Sequence, residues 1–206
     1  MADDIKIVEV TAEDTALLQE FCEKRNQSYL ARKKIQRQRL LTLEQFQDLF
    51  QKQQVLGCLG LRATDGALVG GALLTRQIFR SRTVAYVSSV WTDPLLHGKG
   101  LGTRLIHELC KFAETHAETQ KLYGMTAEIH TWNPGSIRIH EKNGFHIYYF
   151  FNNAPGNAYT RFYFRPFQPE NLREKTRRWF WATYSYSTCL GKRLFQRKHP
   201  ATLSQK

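Results

Sequence analysis

Apolar residues recur along the chain with two different periods, and the changes of period mark the predicted elements. Residues 5–10 alternate between apolar and polar side chains, which predicts a first strand. Leu17, Leu18 and Phe21 then recur at helical spacing, and residues 26–41 predict a second helical stretch. The chain is therefore expected to open with one strand followed by helices.

A third helical pattern follows Thr42, and threonine is a frequent N-cap residue. Residues 55–62 and 67–79 are apolar runs separated by Asp65-Gly66, which predicts a β-hairpin. Residues 82–92 are rich in β-branched and aromatic side chains and predict a buried strand. The middle of the chain is therefore expected to consist of strands.

A central helix is predicted next, because Leu101, Leu105 and Leu109 recur at helical spacing up to about residue 116. Three further strands are predicted, at residues 121–132, 145–151 and 159–164. The last two enclose the loop residues 152–157. No internal repeat is found.

A glycine-rich turn lies between the strand 82–92 and the central helix. Its sequence is Asp93-Pro94-Leu95-Leu96-His97-Gly98-Lys99-Gly100-Leu101-Gly102-Thr103. Glycines let several backbone N–H groups point inward, and the helix dipole adds positive potential, so the turn suits a pyrophosphate. The spacing is neither that of the Rossmann fingerprint nor that of the P-loop. Another phosphate-bearing cofactor is therefore predicted.

A second block follows about thirty residues later, with the sequence Asn133-Pro134-Gly135-Ser136-Ile137-Arg138-Ile139-His140-Glu141-Lys142-Asn143-Gly144-Phe145. Proline opens this helix and glycine stops it, and a strand begins at once. The two blocks together resemble the GCN5-related N-acetyltransferase (GNAT) superfamily. Its members carry Arg/Gln-x-x-Gly-x-Gly/Ala before the central helix and a later Asn…Tyr-Glu-Lys-x-Gly-Phe segment. The resemblance covers roughly residues 4–165.

The resemblance implies an α/β (α+β) fold in which helices flank a central mixed, mostly antiparallel sheet. It also implies that acetyl-CoA is the co-substrate and that an acetyl group is moved to a primary amine. The cofactor residues that it implies are Val90, Trp91, Thr92, His97, Gly98, Lys99, Gly100, Leu101, Gly102, Thr103 and Asn133. His97 departs from the usual Arg or Gln, but only its backbone is needed. Side chains at Gly100 or Gly102 are expected to obstruct the pyrophosphate.

Two residues are predicted to be catalytic. A neutral amine must attack the thioester, so the reaction needs a base or a water chain. Glu128, on the predicted strand before Asn133, matches the spacing of a glutamate base in similar bacterial N-acetyltransferases. His140 stands where the family often has a tyrosine acid, and imidazole is competent to protonate the thiolate. Substitutes for the acid are Tyr148, Tyr149 and Tyr159. The alternatives are a Glu128 that is solvated or paired with an arginine, and a helix-surface histidine without a role.

Recognition of the acceptor in this family implies residues 25–45 and 150–160. The basic run 32–39 suits an acceptor with a carboxylate or phosphate, while Phe150, Phe151 and Tyr159 can wall its apolar part. A solvated basic face is the simpler alternative. The acceptor is expected to be a small-molecule or protein amine.

Composition adds that 206 residues with 42% apolar side chains suit one domain with a sizeable core. We divide the chain into a GNAT domain at residues 1–165 and a basic, aromatic helical extension at 166–206. The net charge is +12, and residues 167–206 hold nine Lys and Arg against two Glu. Such a field attracts acidic partners.

The extension is expected to begin its helix after Pro169, with Leu172, Thr176, Trp179 and Thr183 on one face and an end or break at Gly191. Trp179, Phe180 and Trp181 are predicted to dock it on the domain or on a second subunit, as in a homodimer. An anionic membrane surface and nucleic acid are the alternative partners.

The remaining features bound the function class. Four separated cysteines favour reduced structural thiols, and no metal site is predicted. No signal peptide and no spanning segment are predicted, so a cytoplasmic location is expected. The competing function is a non-catalytic acyl-CoA-binding or nucleic-acid-binding module that uses the basic tail.

Overall fold

The structure, a computed structural model, describes residues 5–31, 40–151 and 159–198, with side chains up to Leu190. The predicted basic run 32–39 and the loop 152–157 lie outside the described residues. A seven-stranded sheet forms the centre of the fold, in the order β1-β2-β3-β4-β5-β7-β6. The strands are β1 (Lys6–Glu9), β2 (Val55–Arg62), β3 (Leu68–Phe79), β4 (Arg82–Thr92), β5 (Gly124–His130), β6 (His146–Phe151) and β7 (Thr160–Pro166).

Five of the six strand pairings are antiparallel, and only β4 and β5 run parallel among the described strands. A parallel neighbour requires a crossover, which the helix between these two strands provides. The predicted mixed, mostly antiparallel sheet flanked by helices is confirmed.

Five helices are described: α1 (Thr15–Ala31), α2 (Leu43–Gln51), α3 (Leu101–Thr115), α4 (Pro134–Lys142) and α5 (Leu172–Lys198). The N-cap at Thr42 is confirmed, because its side chain accepts from Gln45 N and the Gln45 side chain accepts from Thr42 N. Residues 26–31, the first part of the predicted helix 26–41, belong instead to the end of α1, which ends at Ala31.

Two hydrophobic clusters lie on opposite faces of the sheet. Leu59 and Leu74 face the cluster beneath α3, while their neighbours Cys58 and Leu73 face the cluster of α1 and α2. Leu105, Ile106 and Leu109 are fully buried on α3, and each contributes about 1.5–3 kcal/mol relative to exposure. The core therefore fixes α3, and with it the glycine turn at the N-terminus of α3.

α5 packs along β6, which is the edge strand of the sheet. The Phe150 N–H donates to Ser185 Oγ at 2.9 Å, and the Tyr159 hydroxyl donates to the Cys189 carbonyl at 3.1 Å. Arg178 pairs with the buried Glu170 at 3.0 Å. The helix thus covers an edge whose backbone groups would otherwise be open to another strand.

The structure differs from two predictions about α5. Gly191 does not end the helix, which runs to Lys198, because a glycine costs only about 1 kcal/mol in a helix interior. Trp179 and Phe180 do not dock α5 on the domain but are exposed, and the docked side of the helix carries Ser185 and Cys189. Docking of these residues on a second subunit stays a prediction. Contacts to β6, rather than the largest apolar side chains, decide which side faces the domain.

Among residues 5–31, 40–151 and 159–198, no helix has the length and apolar character needed to cross a membrane. The four cysteines are free and buried, as predicted. Burial raises the pKa of Cys110 to about 11 and raises that of Cys58 well above its ordinary value, so both stay protonated near neutral pH. They are packing residues.

Candidate active site

A cleft opens between β4 and β5 because the two strands pair over only part of their lengths. Their last paired residues are Val87 and Ala127. Beyond them, β4 continues to Thr92 on β3, and β5 continues to His130 on β7. Residues 88–92 and 127–130 line a cleft of about 740 Å³. An extended ligand placed there would contact the edge of β4 that is not paired with β5.

The glycine turn closes one end of this cleft. Asp93 accepts from Leu95 N and starts a short 3-10 turn at Pro94–Leu96, after which Gly98 and Gly100 have φ values of 82° and 78°. Gly100 is the N-cap of α3, and no side chain caps this helix end. The first N–H groups of α3 therefore point towards the cleft mouth without a capping partner, as an anion site requires.

The glycines of the turn serve two different purposes. A Cβ at Gly98 or Gly100 would meet no atom within 4 Å, so these positions need glycine for their positive φ. A Cβ at Gly102 would lie 2.9 Å from Ile139 Cδ1. Gly102 therefore permits the close packing of α3 on α4, and the obstruction of the pyrophosphate at this position stays a prediction.

α4 forms one wall of the cleft, and Asn133 begins it. The Asn133 side chain accepts from Ser136 N at 3.2 Å, so this residue caps the helix. Arg138 and Lys142 are exposed on this helix and also line the cleft. Together with His97 in the turn, they give the mouth a basic rim.

Glu128 lies on β5 beyond the last residue that pairs with β4, and its exposed side chain lines the cleft. Desolvation and the charge of Glu128 raise the pKa of Tyr149. The carboxylate thus lies near Tyr149, on the side of the cleft where β6 and β7 pair.

His140 also lines the cleft, but its ring is buried against Phe145, with ring centroids 5.1 Å apart. Nδ1 lies 2.8 Å from the Ser136 carbonyl, so Nδ1 carries the proton and Nε2 the lone pair. Nε2 has no hydrogen-bond partner among the described residues. Burial lowers the pKa of His140 to about 4, so the ring is neutral near pH 7.

None of the three tyrosines predicted as substitute acids lines the cleft. Tyr148 packs against Phe79, and Tyr159 donates to the Cys189 carbonyl. Tyr149 lies nearer, where desolvation and the charge of Glu128 raise its pKa, but its ring stacks on Phe162. Among the described tyrosines, the cleft is lined by Tyr29 and Tyr86. The Tyr29 hydroxyl, on α1, donates to Ser89 Oγ on β4 at 3.2 Å.

The Trp91 side chain does not point along the cleft edge but packs edge-on against Phe21 at 5.8 Å, inside the cluster of α1 and α2. Val90 packs instead against the opposite cluster. Residues 90–92 therefore line the cleft mainly with backbone atoms.

Residues 18–145 match the model of the acetyltransferase (GNAT) family. The chain belongs to this family. GNAT proteins are N-acetyltransferases that use acetyl-CoA as co-substrate, so this class of reaction is assigned to the chain. No curated protein sequence matches the chain.

Solved GNAT structures share the fold. A GNAT acetyltransferase from Streptococcus pneumoniae is 17% identical, covers 79% of this chain and 98% of its own, and has a TM-score of 0.64. The Salmonella typhimurium protein yncA, solved with acetyl-CoA, is 21% identical over 81% of this chain and 96% of its own, with a TM-score of 0.64. A Sinorhizobium meliloti phosphinothricin acetyltransferase in complex with acetyl-CoA is 20% identical over 79% and 88%, with a TM-score of 0.62. These identities establish the fold alone.

Sequence reasoning missed several residues that line the GNAT cleft. Arg138 and Lys142 are four residues apart on a predicted helix, and that spacing was the available signal. Tyr29 and Ser89 are in contact although they lie 60 positions apart in the sequence, and no local pattern predicts such a contact. No group of His, Cys, Asp and Glu side chains that could hold a metal occurs in the described part of the chain.

Proposed function

We propose that the chain transfers the acetyl group of acetyl-CoA to a primary amine of a small molecule or protein in the cleft between β4 and β5. The observation that carries this proposal is the early end of the pairing between Val87 and Ala127, with the glycine turn at one end of the resulting cleft. A strand edge and an anion site are the two features that an extended thioester with a pyrophosphate requires.

The pyrophosphate is held by backbone N–H groups of residues 98–103, and Lys99 adds positive charge. Arg138 and Lys142 on the cleft rim can attract further phosphate groups. The pantetheine arm lies along the backbone of residues 90–92, beyond the last pair with β5. Asn133, as the cap of α4, holds the wall in place.

Glu128 takes one proton from the ammonium group and leaves a neutral amine. The amine nitrogen then bonds to the thioester carbonyl carbon, the carbon–sulfur bond breaks, CoA leaves as a thiolate, and the second proton of the nitrogen passes to solvent. An N–H at the end of β4 polarises the carbonyl oxygen. The exposure of Glu128 at the cleft supports this role, since the carboxylate can reach solvent to release its proton.

His140 supports the site in another way than the acid role that the resemblance implies. A ring whose pKa is about 4 holds almost no proton to give at neutral pH. We propose instead that Nε2 accepts a hydrogen bond from the cofactor and that the thiolate takes its proton from solvent. Nε2 is buried without a partner among the described residues, and a buried acceptor of this kind favours a bound donor.

The acceptor enters on the side of Tyr29 and Tyr149, where α1, β6 and β7 approach the cleft. We propose an amine whose own acidic group is attracted by the basic surface of the protein, which carries a net charge of +12. The free, buried thiols agree with a cytoplasmic location.

The test is the Glu128→Gln substitution, measured as release of the CoA thiol with the best amine of a panel. The expected result is a rate loss of about 10²–10⁴-fold with unchanged affinity for CoA. Glu118→Gln, at an exposed glutamate outside the cleft, is the matched control. An unchanged rate and pH–rate profile in Glu128→Gln would reject the base role.

A further inference from the structure

The side of α5 that faces away from the domain carries large aromatic residues. Trp179 is 69% exposed, Phe180 56% and Tyr184 57%. Phe180 and Tyr184 stack with their ring centroids 6.1 Å apart, and Leu172 is exposed in the first turn. We call these four residues the outer face of α5. Monomeric proteins seldom expose so many neighbouring apolar side chains without a use.

The outer face is not a surface that the domain itself can cover. The opposite side of α5 is already docked, through Ser185 on the β6 backbone, Cys189 beneath Tyr159, and Arg178 on Glu170. Trp181 lies between the two sides, with the Arg80 guanidinium 5.6 Å from its ring. The helix is therefore fixed with its aromatic side directed outwards.

Cations surround the outer face. Arg173, Lys175 and Arg177 are exposed in its first two turns, and α5 as a whole holds eight Lys and Arg against one Glu. A second copy of the chain on this face would bring two such helices together, and the like charges would repel. Charge complementarity instead requires an anionic partner.

We propose that α5 lies on an anionic lipid surface, with its outer face in the headgroup region. Trp, Phe, Tyr and Leu beside Arg and Lys form the composition of helices that lie in a membrane interface. An exposed helix face is convex and suits a flat bilayer, whereas the clamping of nucleic acid needs a groove. The inference does not depend on the proposed acetyl transfer.

The expected strength of binding to an anionic membrane follows from the charges and the aromatic residues. Each cation near an anionic surface raises the partition coefficient about fivefold, so the three exposed cations together supply about a hundredfold. This part of the binding should disappear at high salt, because the Debye length shrinks to about 3 Å at molar ionic strength. The aromatic part should persist at high salt.

The experiment uses the full-length protein with vesicles of phosphatidylcholine alone or mixed with phosphatidylglycerol. The protein is expected to sediment with the mixed vesicles and not with phosphatidylcholine, and its tryptophan emission should shift to the blue. The combined variant Trp179→Ser, Phe180→Ser, Tyr184→Ser should lower partition about 50-fold or more. A variant with Arg173, Lys175 and Arg177 replaced by Gln should lose about a hundredfold.

The matched control is Ile78→Ser, because Ile78 is 66% exposed at the end of β3 and does not belong to the outer face of α5. It should bind vesicles like the parent protein. All variants should keep the parent thermal transition, which confirms that they fold. Equal vesicle binding by the aromatic variant and its parent would overturn the proposal, as would no binding to anionic vesicles.

Two other outcomes would assign the outer face to a different partner and so overturn the proposal. One is binding of a generic RNA that the aromatic variant loses, without any binding to vesicles. The other is a concentration-dependent dimer in analytical ultracentrifugation that the aromatic variant loses. Both are measured on the same set of proteins.

Discussion

The replacement of His140 by Phe should change how the stability of the protein depends on pH. In the wild type the ring is buried against Phe145, and burial lowers its pKa from 6.5 to about 4, although the hydrogen bond to Ser136 acts in the opposite sense. Phenylalanine also carries a planar ring but is somewhat larger and cannot bind a proton. The substitution therefore removes one titration, and the cost of fitting the larger ring and of losing the hydrogen bond to Ser136 is common to both pH values.

The direction of the change in stability with pH follows from the pKa values of His140 in the folded and unfolded chain. Above pH 6.5 neither the folded nor the unfolded chain protonates this residue, so the full stability is present. As the pH falls from 6.5 to 4, the unfolded chain binds a proton that the folded chain excludes, and stability is lost. The total loss amounts to about 3 kcal/mol, of which about 2 kcal/mol falls between pH 7 and pH 5.

The assay is urea unfolding of both proteins at pH 7 and pH 5. The wild type should lose about 2 kcal/mol more than His140→Phe over this interval. Other groups that titrate, such as His146, contribute to both proteins and cancel in the difference. His107→Gln, at an exposed histidine of α3, is the control and should follow the wild type. Equal losses in the wild type and His140→Phe would refute the burial argument.

The same variant separates the two roles discussed for His140. If the neutral ring only accepts a hydrogen bond, its replacement should lower the transfer rate at neutral pH less than about tenfold. A loss of about 10²–10⁴-fold with intact CoA affinity would identify His140 as the general acid instead.

Three further predictions concern the turn, the first helices and α5. Gly100→Val places a β-branched residue at φ 78° and should weaken CoA binding more than about tenfold by calorimetry, while Gly66→Val, at φ 88° in the hairpin turn, should leave it unchanged. Thr42→Ala removes the capping box of α2 and should lower the free energy of unfolding by about 1 kcal/mol in urea. A chain that ends at Pro166 uncovers β6 and should aggregate in sedimentation; a monomer with a normal thermal transition would contradict this.

The elements and the glycine turn could be predicted from the sequence because their signals are local. A strand, three spaced glycines and an apolar helical pattern are adjacent in the chain, and the positive φ values of Gly98 and Gly100 follow from the residue type. The capping box at Thr42 is equally local. Such features depend little on the rest of the fold.

The wrong predictions concern features that depend on residues far apart in the sequence. The sequence predicted that Trp179, Phe180 and Trp181 dock α5. The hydrogen bond from Phe150 to Ser185 and the Arg178–Glu170 pair instead hold the opposite side of the helix against the domain, so that Trp179 and Phe180 are exposed. The burial of His140 depends on Phe145 and on the packing of α4 against α3, which no spacing reveals. Its altered pKa could not be predicted for the same reason.

The most direct test of the central claim measures, in one reaction, the CoA thiol released and the acetylated amine formed. The purified protein should release thiol from acetyl-CoA only when an acceptor amine is present, in equal amounts with the acetylated product. Gly100→Val should abolish both products together, and Gly66→Val should not. Tight CoA binding without amine-dependent thiol release across a broad amine panel would contradict the account and indicate a binding module.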